Sequence, residues 1–278
     1  MIRGYTSQQV RDAEAPHLAA GEPLMQRAAH ALAGRIREVL EQRGHVRPPR
    51  VLLLVGSGDN GGDALFAGAE LAAEGVEVVV VGVGSRLHEA GRAAAEASGA
   101  VFGSPTPFDP QPAALAALAR EAVGFDVVVD GIVGTGTTSR SSTGAPGSPG
   151  STGPTGSAAS SALRGTARAV VQALLPAVTA EDTETRSSPQ PQAQPHPPAV
   201  VAVDIPSGID PDTGAAPDPV VLPATVTVTF GGIKAGLLRG DGPRLAGRVV
   251  LVEIGIDDEL GRMTPAVELP ATSVPPPA

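Results

Sequence analysis

The sequence predicts an α/β fold, a three-layer α/β/α sandwich around a mostly parallel central sheet. Three observations carry this. From residue 51 onward, short valine-rich runs alternate with segments of helical spacing. Hydrophobic residues make up 42% of the chain but aromatics only 2%, so the core must be Val, Leu, Ile and Ala, as buried parallel strands favour. A glycine-rich turn joins the first of these strands to a helix, the arrangement of Rossmann-like folds.

The elements follow in order. Thr6 or Ser7 caps a first helix running to residue 15. A second helix covers 24–42, where Leu24, Ala28, Ala31, Leu32, Ile36, Val39 and Leu40 recur at helical spacing. Gly44 and the pair Pro48-Pro49 end it. Strands begin near Val51, Val76, Phe125, Val200, Thr225 and Val249, and helices fill 63–74, 87–98, 112–122 and 163–175. Residues 137–162 are almost entirely Ser, Thr, Gly, Pro and Ala, and 180–198 are rich in Glu, Thr, Ser, Pro and Gln. Neither stretch carries enough apolar surface to offset chain entropy, so both are expected to be disordered insertions. The reading is one domain over 1–262, then a proline-rich tail or linker over 263–278.

Composition narrows the function classes. The net charge of −9, with no basic cluster longer than two residues, argues against nucleic-acid binding. The absence of cysteine excludes disulfides, thiolate catalysis and zinc–thiolate sites. No apolar run approaches the roughly 20 residues a membrane helix needs. The first residues show no apolar signal-type stretch, and a cytoplasmic protein is expected.

Three strand ends carry polar groups. Val51–Val55 runs into Gly56-Ser57-Gly58-Asp59-Asn60-Gly61-Gly62-Asp63, whose glycines let backbone approach a ligand and whose N–H groups suit an anion. Gly56, Gly58 and Gly61 satisfy the G-x-G-x-x-G pattern, a weak signal by itself, and a plain strand–helix turn stands as the alternative. No acidic residue ends the next strand, with Glu77 lying inside it, so a conventional NAD-dependent dehydrogenase is disfavoured. Asp130 follows Phe125–Val129 and precedes Gly131 to Gly136, and Asp204 follows Val200–Val203 and precedes Pro206-Ser207-Gly208. Ligands of doubly wound sheets sit at such carboxyl ends, with Asp130 and Asp204 as plain caps of helices or turns the alternative reading.

Together GSGDNGGDA, DGIVGTG and AVDIPSGIDPDTG, in that order, resemble the NAD(P)H-hydrate epimerase family, the N-terminal module of the YjeF proteins. YTSQQVRDAE, LMQRAAHALA, TFGGIKAGLL and GPRLAGRVVLVEIGI extend the likeness over about residues 4–257. The resemblance implies epimerisation of the R and S forms of 6-hydroxy NADH and NADPH, the hydrates NADHX and NADPHX. A dehydratase partner then restores the cofactor. It also implies a Rossmann-like fold, a homodimer and a bound potassium ion. Substrate binding would fall to Asp59, Asn60, Gly61, Gly62 and Asp63, to Gly134, Thr135, Gly136, Thr137, Thr138, Ser139 and Arg140, and to Asp204. Potassium would fall to Asn60, Asp130 and Ser207. Relatives often carry a fused dehydratase, and the run from Met263 to Glu268 resembles that junction.

The chain departs from the family at three places. Asp59 replaces an asparagine, Ala64 replaces a glycine, and the low-complexity stretch begins just after Gly136. Inversion at C6 proceeds by ring opening or by loss of hydroxide, and either route needs a proton donor and acceptor. Asp204 is the candidate base, because the end of an apolar strand can raise a carboxyl's pKa toward neutrality. Lys234 is the candidate for stabilising negative charge, against the plainer reading of a solvated loop lysine. His30, His45, His88 and His196 receive no role. Two other functions compete: a non-catalytic scaffold of the same fold, and an unrelated nucleotide enzyme, which would need a Walker-type lysine or an acidic ribose partner.

Overall fold

The computed structural model describes residues 1–44, 47–103, 107–134, 161–180 and 196–270. In chain order the elements are β1 (Ile2–Gly4), α1 (Ser7–Ala19), α2 (Leu24–Arg43), β2 (Arg50–Val55), α3 (Asp59–Ala73), β3 (Glu77–Gly82), α4 (Glu89–Ala97), β4 (Val101–Phe102), α5 (Pro112–Ala122), β5 (Val127–Gly131), α6 (Gly165–Val178), β6 (Ala199–Val203), β7 (Val226–Phe230), α7 (Gly242–Leu245), β8 (Arg248–Val252), α8 (Asp257–Gly261) and β9 (Val267–Leu269).

Seven strands form one parallel sheet in the order β4-β3-β2-β5-β6-β7-β8. The chain leaves β2 outward through β3 and β4, then crosses back to β5 on the other side of β2. That reversal makes the carboxyl ends of β2 and β5 the switch point, where loops diverge and leave a crevice. Alternate strand residues feed two cores. Val51, Leu53 and Val55 join Val127, Val129, Val201 and Val203 beneath α2 and α3. Leu52 and Leu54 join Val128 and Val200 against Leu118 of α5 and Val170, Val171 and Leu174 of α6. Both faces are covered, which is why these strands read as unbroken apolar runs.

The sequence misplaces several boundaries. Helix α3 starts at Asp59, four residues before the expected position, so Asp59 to Gly62 form its first turn. The glycines there serve close approach inside a helix: a Cβ on Gly61 would lie 2.4 Å from the Gly56 carbonyl oxygen, and one on Gly62 3.0 Å from Met25. Helix α1 runs past Pro16 to Ala19, behind a capping box in which Thr6 and Gln9 satisfy each other's backbone N–H. Strand β4, only two residues long, had no pattern to announce it. Inside the stretch read as a tail, β9 pairs antiparallel with β1 through Arg3 and Glu268. Most of 137–162 and of 180–198, and 271–278, lie outside the described residues. No helix among the described residues is long and apolar enough to cross a membrane.

Candidate functional site

The site is built at the switch point. The Gly56 N–H donates to the Gly131 carbonyl at 3.0 Å, tying the loop after β2 to the end of β5. A Cβ on Gly56 would sit 1.7 Å from the Ile132 carbonyl oxygen, so no other residue fits there. A cleft of about 410 Å³ opens beside this contact, lined among others by Ser57, Gly84, Gly134, Arg164 and Pro206. Asp59 stands exposed in the first turn of α3, whose end presents backbone N–H groups.

Asn60, Asp130 and Ser207 meet beneath the cleft, each at most 5% exposed. Asp130 Oδ2 accepts the Ser207 N–H at 2.8 Å, and Oδ1 accepts the Ile132 N–H at 3.4 Å. Ser207 Oγ accepts the Val133 N–H at 2.9 Å. Asn60 Nδ2 donates to the carbonyls of Val203 at 2.5 Å and Val133 at 3.4 Å. Gly134 passes so close that a Cβ there would lie 2.4 Å from Asn60 Oδ1. Burial pushes the Asp130 carboxyl up, against hydrogen bonds from Ser207 and Ile132 that favour its charge. An amide, a carboxylate and a hydroxyl are hard oxygen donors, and no group of three His, Cys, Asp or Glu placed to hold a metal ion exists among the described residues. That donor set fits an alkali cation better than a transition metal.

On the other side of Asn60, Asp204 ends β6 with φ +67°, the single non-glycine residue with positive φ among those described. A strained backbone at a polar strand end is characteristic of functional sites. The Asp204 N–H donates to the Val228 carbonyl at 2.7 Å, and its Oδ1 accepts the Thr229 hydroxyl at 3.0 Å and the Phe230 N–H at 3.4 Å. The third donor is the Lys234 ammonium. Lys234 is 2% exposed, which rules out the solvated loop lysine. The two candidate catalytic residues are therefore one ion pair.

Helix α1 is docked onto this pair through the strand-like bridge at Tyr5. The Tyr5 N–H donates to Ile233 and the Ala235 N–H donates to Tyr5, at 2.8 and 2.7 Å. The docking brings Glu14 toward Lys234, Asp204 and Asp59, and burial raises its carboxyl first among those influences. Sequence reading missed Glu14. The signal was there: Ser7, Val10 and Ala13 form the buried stripe of α1, and Glu14 lies four residues after Val10 on the same stripe.

Asp63 is the other surprise. It is 6% exposed. Burial first, then the charges of Asp204, Asp59 and Glu14, raise its carboxyl well above the usual carboxylate range. Desolvation thus lifts the carboxyls of Asp63, Asp130 and Glu14, and Asp204 has a buried lysine for a partner. Of the remaining candidates, Gly61 and Gly62 line the first turn of α3, Gly134 abuts Asn60, and Thr135, Gly136, Thr137, Thr138, Ser139 and Arg140 lie outside the described residues. His88 caps α4 by accepting the Gly91 N–H at 3.0 Å, a structural task.

Residues 21–236 match the family described as YjeF-related protein N-terminus. The chain is 47% identical over 264 residues to the NAD(P)H-hydrate epimerase of Clavibacter michiganensis subsp. michiganensis, covering 95% of this chain and 94% of that one. It is 41% identical over 266 residues to the NAD(P)H-hydrate epimerase of Microbacterium testaceum, covering 96% and 84%. The bifunctional NAD(P)H-hydrate repair enzyme Nnr of Mycobacterium tuberculosis is 35% identical over 257 residues, 91% of this chain but 41% of that protein. Among solved structures, yeast ynu0 superposes with a TM-score of 0.58 at 18% identity, over 91% of this chain and 88% of that one, a likeness of fold.

Proposed function

The chain belongs to the family of YjeF-related protein N-termini, and from that premise we propose that it interconverts the R and S forms of NADHX and NADPHX. The single observation that carries the reading is the convergence of three segments at one switch point: Asp59 to Asp63, Asp130 to Gly134, and Asp204 to Ser207. Each holds the polar residue that the chemistry needs, and the non-catalytic scaffold reading gains nothing from a buried Asp204–Lys234 pair.

The substrate pyrophosphate suits the glycine-lined cleft and the first turn of α3, where backbone N–H groups favour anions. Asn60, Asp130 and Ser207 would hold potassium, which supplies a fixed positive charge beside the substrate. Asp204 acts as proton acceptor at the C6 hydroxyl, aimed by Lys234, Thr229 and the Phe230 N–H. The reading includes a cytoplasmic homodimer working ahead of a dehydratase that consumes one epimer. A coupled assay tests it. With dehydratase alone, an epimer mixture should stop at the fraction that enzyme accepts. Addition of this protein should carry conversion to completion, and a plateau that stays put would refute the reading.

A further inference from the structure

We propose that Arg164, at the rim of the cleft, binds the substrate's pyrophosphate. The inference deepens the epimerase reading and rests on it.

The lining of the cleft carries the proposal. Its volume of about 410 Å³ lies within the roughly 300–1,000 Å³ of small-molecule sites. Its walls are aliphatic: Ile132 and Val133 follow β5, Leu163 and Ala167 flank the start of α6, and Ile205 and Ile209 follow β6. Arg164 and Asp210 are the charged residues among its described lining. The Asp210 carboxylate is engaged in its own turn. Its Oδ1 accepts the N–H groups of Asp212 at 3.0 Å and Thr213 at 2.7 Å, and the Thr213 hydroxyl at 2.8 Å. Arg164 stands exposed and is the one cation of that lining. The rim beside it is tied across the cleft, where the Ser161 hydroxyl donates to the Gly208 carbonyl at 3.3 Å.

Arg164 is also an unfavourable choice for its position in the fold. It occupies the N-cap of α6, where a short oxygen-bearing side chain is usual, and no side chain caps that helix. A cation at the positive end of a helix is destabilising, and no acid in the first turn of α6 offsets it. Asp59 does offset the corresponding end of α3. Of the two helix ends that meet at the switch point, the α6 side therefore supplies the positive charge that a pyrophosphate needs. A guanidinium presents parallel N–H groups that match two phosphate oxygens at once.

The cleft and the reacting centre lie on opposite faces of the sheet. Leu163, Val83 and Ile132 belong to the core beneath α5 and α6. Tyr5, Val10 and Ala13, whose segment brings Glu14 toward Asp204 and Lys234, belong to the core beneath α2 and α3. Asn60, Asp130 and Ser207 stand between, since Val133 lines the cleft and donates its N–H to Ser207 Oγ. A dinucleotide likewise has two ends joined by a pyrophosphate. With the hydrated ring at Asp204, the linkage crosses the sheet end beside the three oxygen donors and reaches Arg164, and the adenosine enters the aliphatic cleft.

ADP-ribose is the probe for the test, because it keeps the adenosine and the pyrophosphate and lacks the reacting ring. Its dissociation constant is measured by calorimetry on the wild type, Arg164→Ala and Arg164→Lys, with KM and kcat for NADPHX alongside. Arg164→Ala should weaken ADP-ribose about 10-fold to 100-fold. Arg164→Lys keeps the charge and loses the fork, so it should recover part of that loss. The same factor should fall on KM and not on kcat. Unchanged ADP-ribose affinity in Arg164→Ala overturns the proposal. So does an equal fall in kcat, which marks a site disturbed as a whole, and so does a loss confined to 2′-phospho-ADP-ribose, which assigns the guanidinium to the ribose phosphate. A wild type that epimerises NADPHX without binding ADP-ribose overturns the proposal alone. A wild type that binds ADP-ribose and leaves both epimers unchanged overturns the epimerase reading.

Discussion

Lys234 holds its ammonium against Asp204 in the interior, with the Phe230 carbonyl as its other partner at 2.9 Å. The side chains are 2% and 6% exposed. The pair links the loop after β7 to the end of β6, and α1 closes over it through Tyr5.

Breaking the pair from one side leaves a buried charge without compensation. Lys234→Met should therefore cost about 3–5 kcal/mol of stability, measured by urea denaturation. The double variant with Asp204→Asn should cost less than the two single losses added together. A loss below about 1 kcal/mol for Lys234→Met would mean that the pair is hydrated in solution.

Asp204→Asn alone keeps a side chain that tolerates the left-handed backbone at φ +67°. It removes the proton acceptor, so kcat should drop by about 100-fold or more with substrate affinity nearly unchanged. Collapsed affinity with normal turnover would make Asp204 a binding residue.

The potassium assignment separates from the chemistry. Potassium should raise the Tm of the wild type. Asp130→Ala removes the one carboxylate of the donor set, and Gly134→Ala drives a Cβ to within 2.4 Å of Asn60 Oδ1. Neither variant should respond to potassium. A shift equal to that of the wild type in both would place the ion elsewhere.

The raised carboxyl of Asp63 has a signature in stability. The folded chain retains a proton that the unfolded chain releases above about pH 4. Between those two pKa values folding takes up a proton, so this contribution is present at acid pH and is lost as pH rises toward the folded value. Asp63→Asn has no such proton. Its Tm relative to wild type should therefore climb as pH is raised above about 4. A constant difference would show that Asp63 ionises normally in the fold.

Much of this was legible beforehand. The parallel sheet followed from valine runs alternating with helical segments, and α5 fell on the expected residues, 112–122. The site lies at strand ends, where pattern and spacing locate residues well. Partnership was harder to read. Lys234 looks like a loop lysine until β7 and β6 are brought side by side, 30 residues apart in sequence. Glu14 sits more than 40 residues before the glycine loop, and only the Tyr5 bridge shows where α1 docks. Asp63 reads as the end of a polar turn, whereas α3 begins at Asp59 and carries it inward. The short β4 and β9 lacked any apolar run to mark them.

The most direct test of the account begins from one resolved epimer of NADPHX, incubated with the folded protein and potassium and sampled by chiral chromatography. The account predicts decay to the equilibrium mixture well ahead of the spontaneous rate, and a rate proportional to protein concentration. An epimer ratio that drifts at the protein-free rate, with NADHX and NADPHX alike, would contradict it.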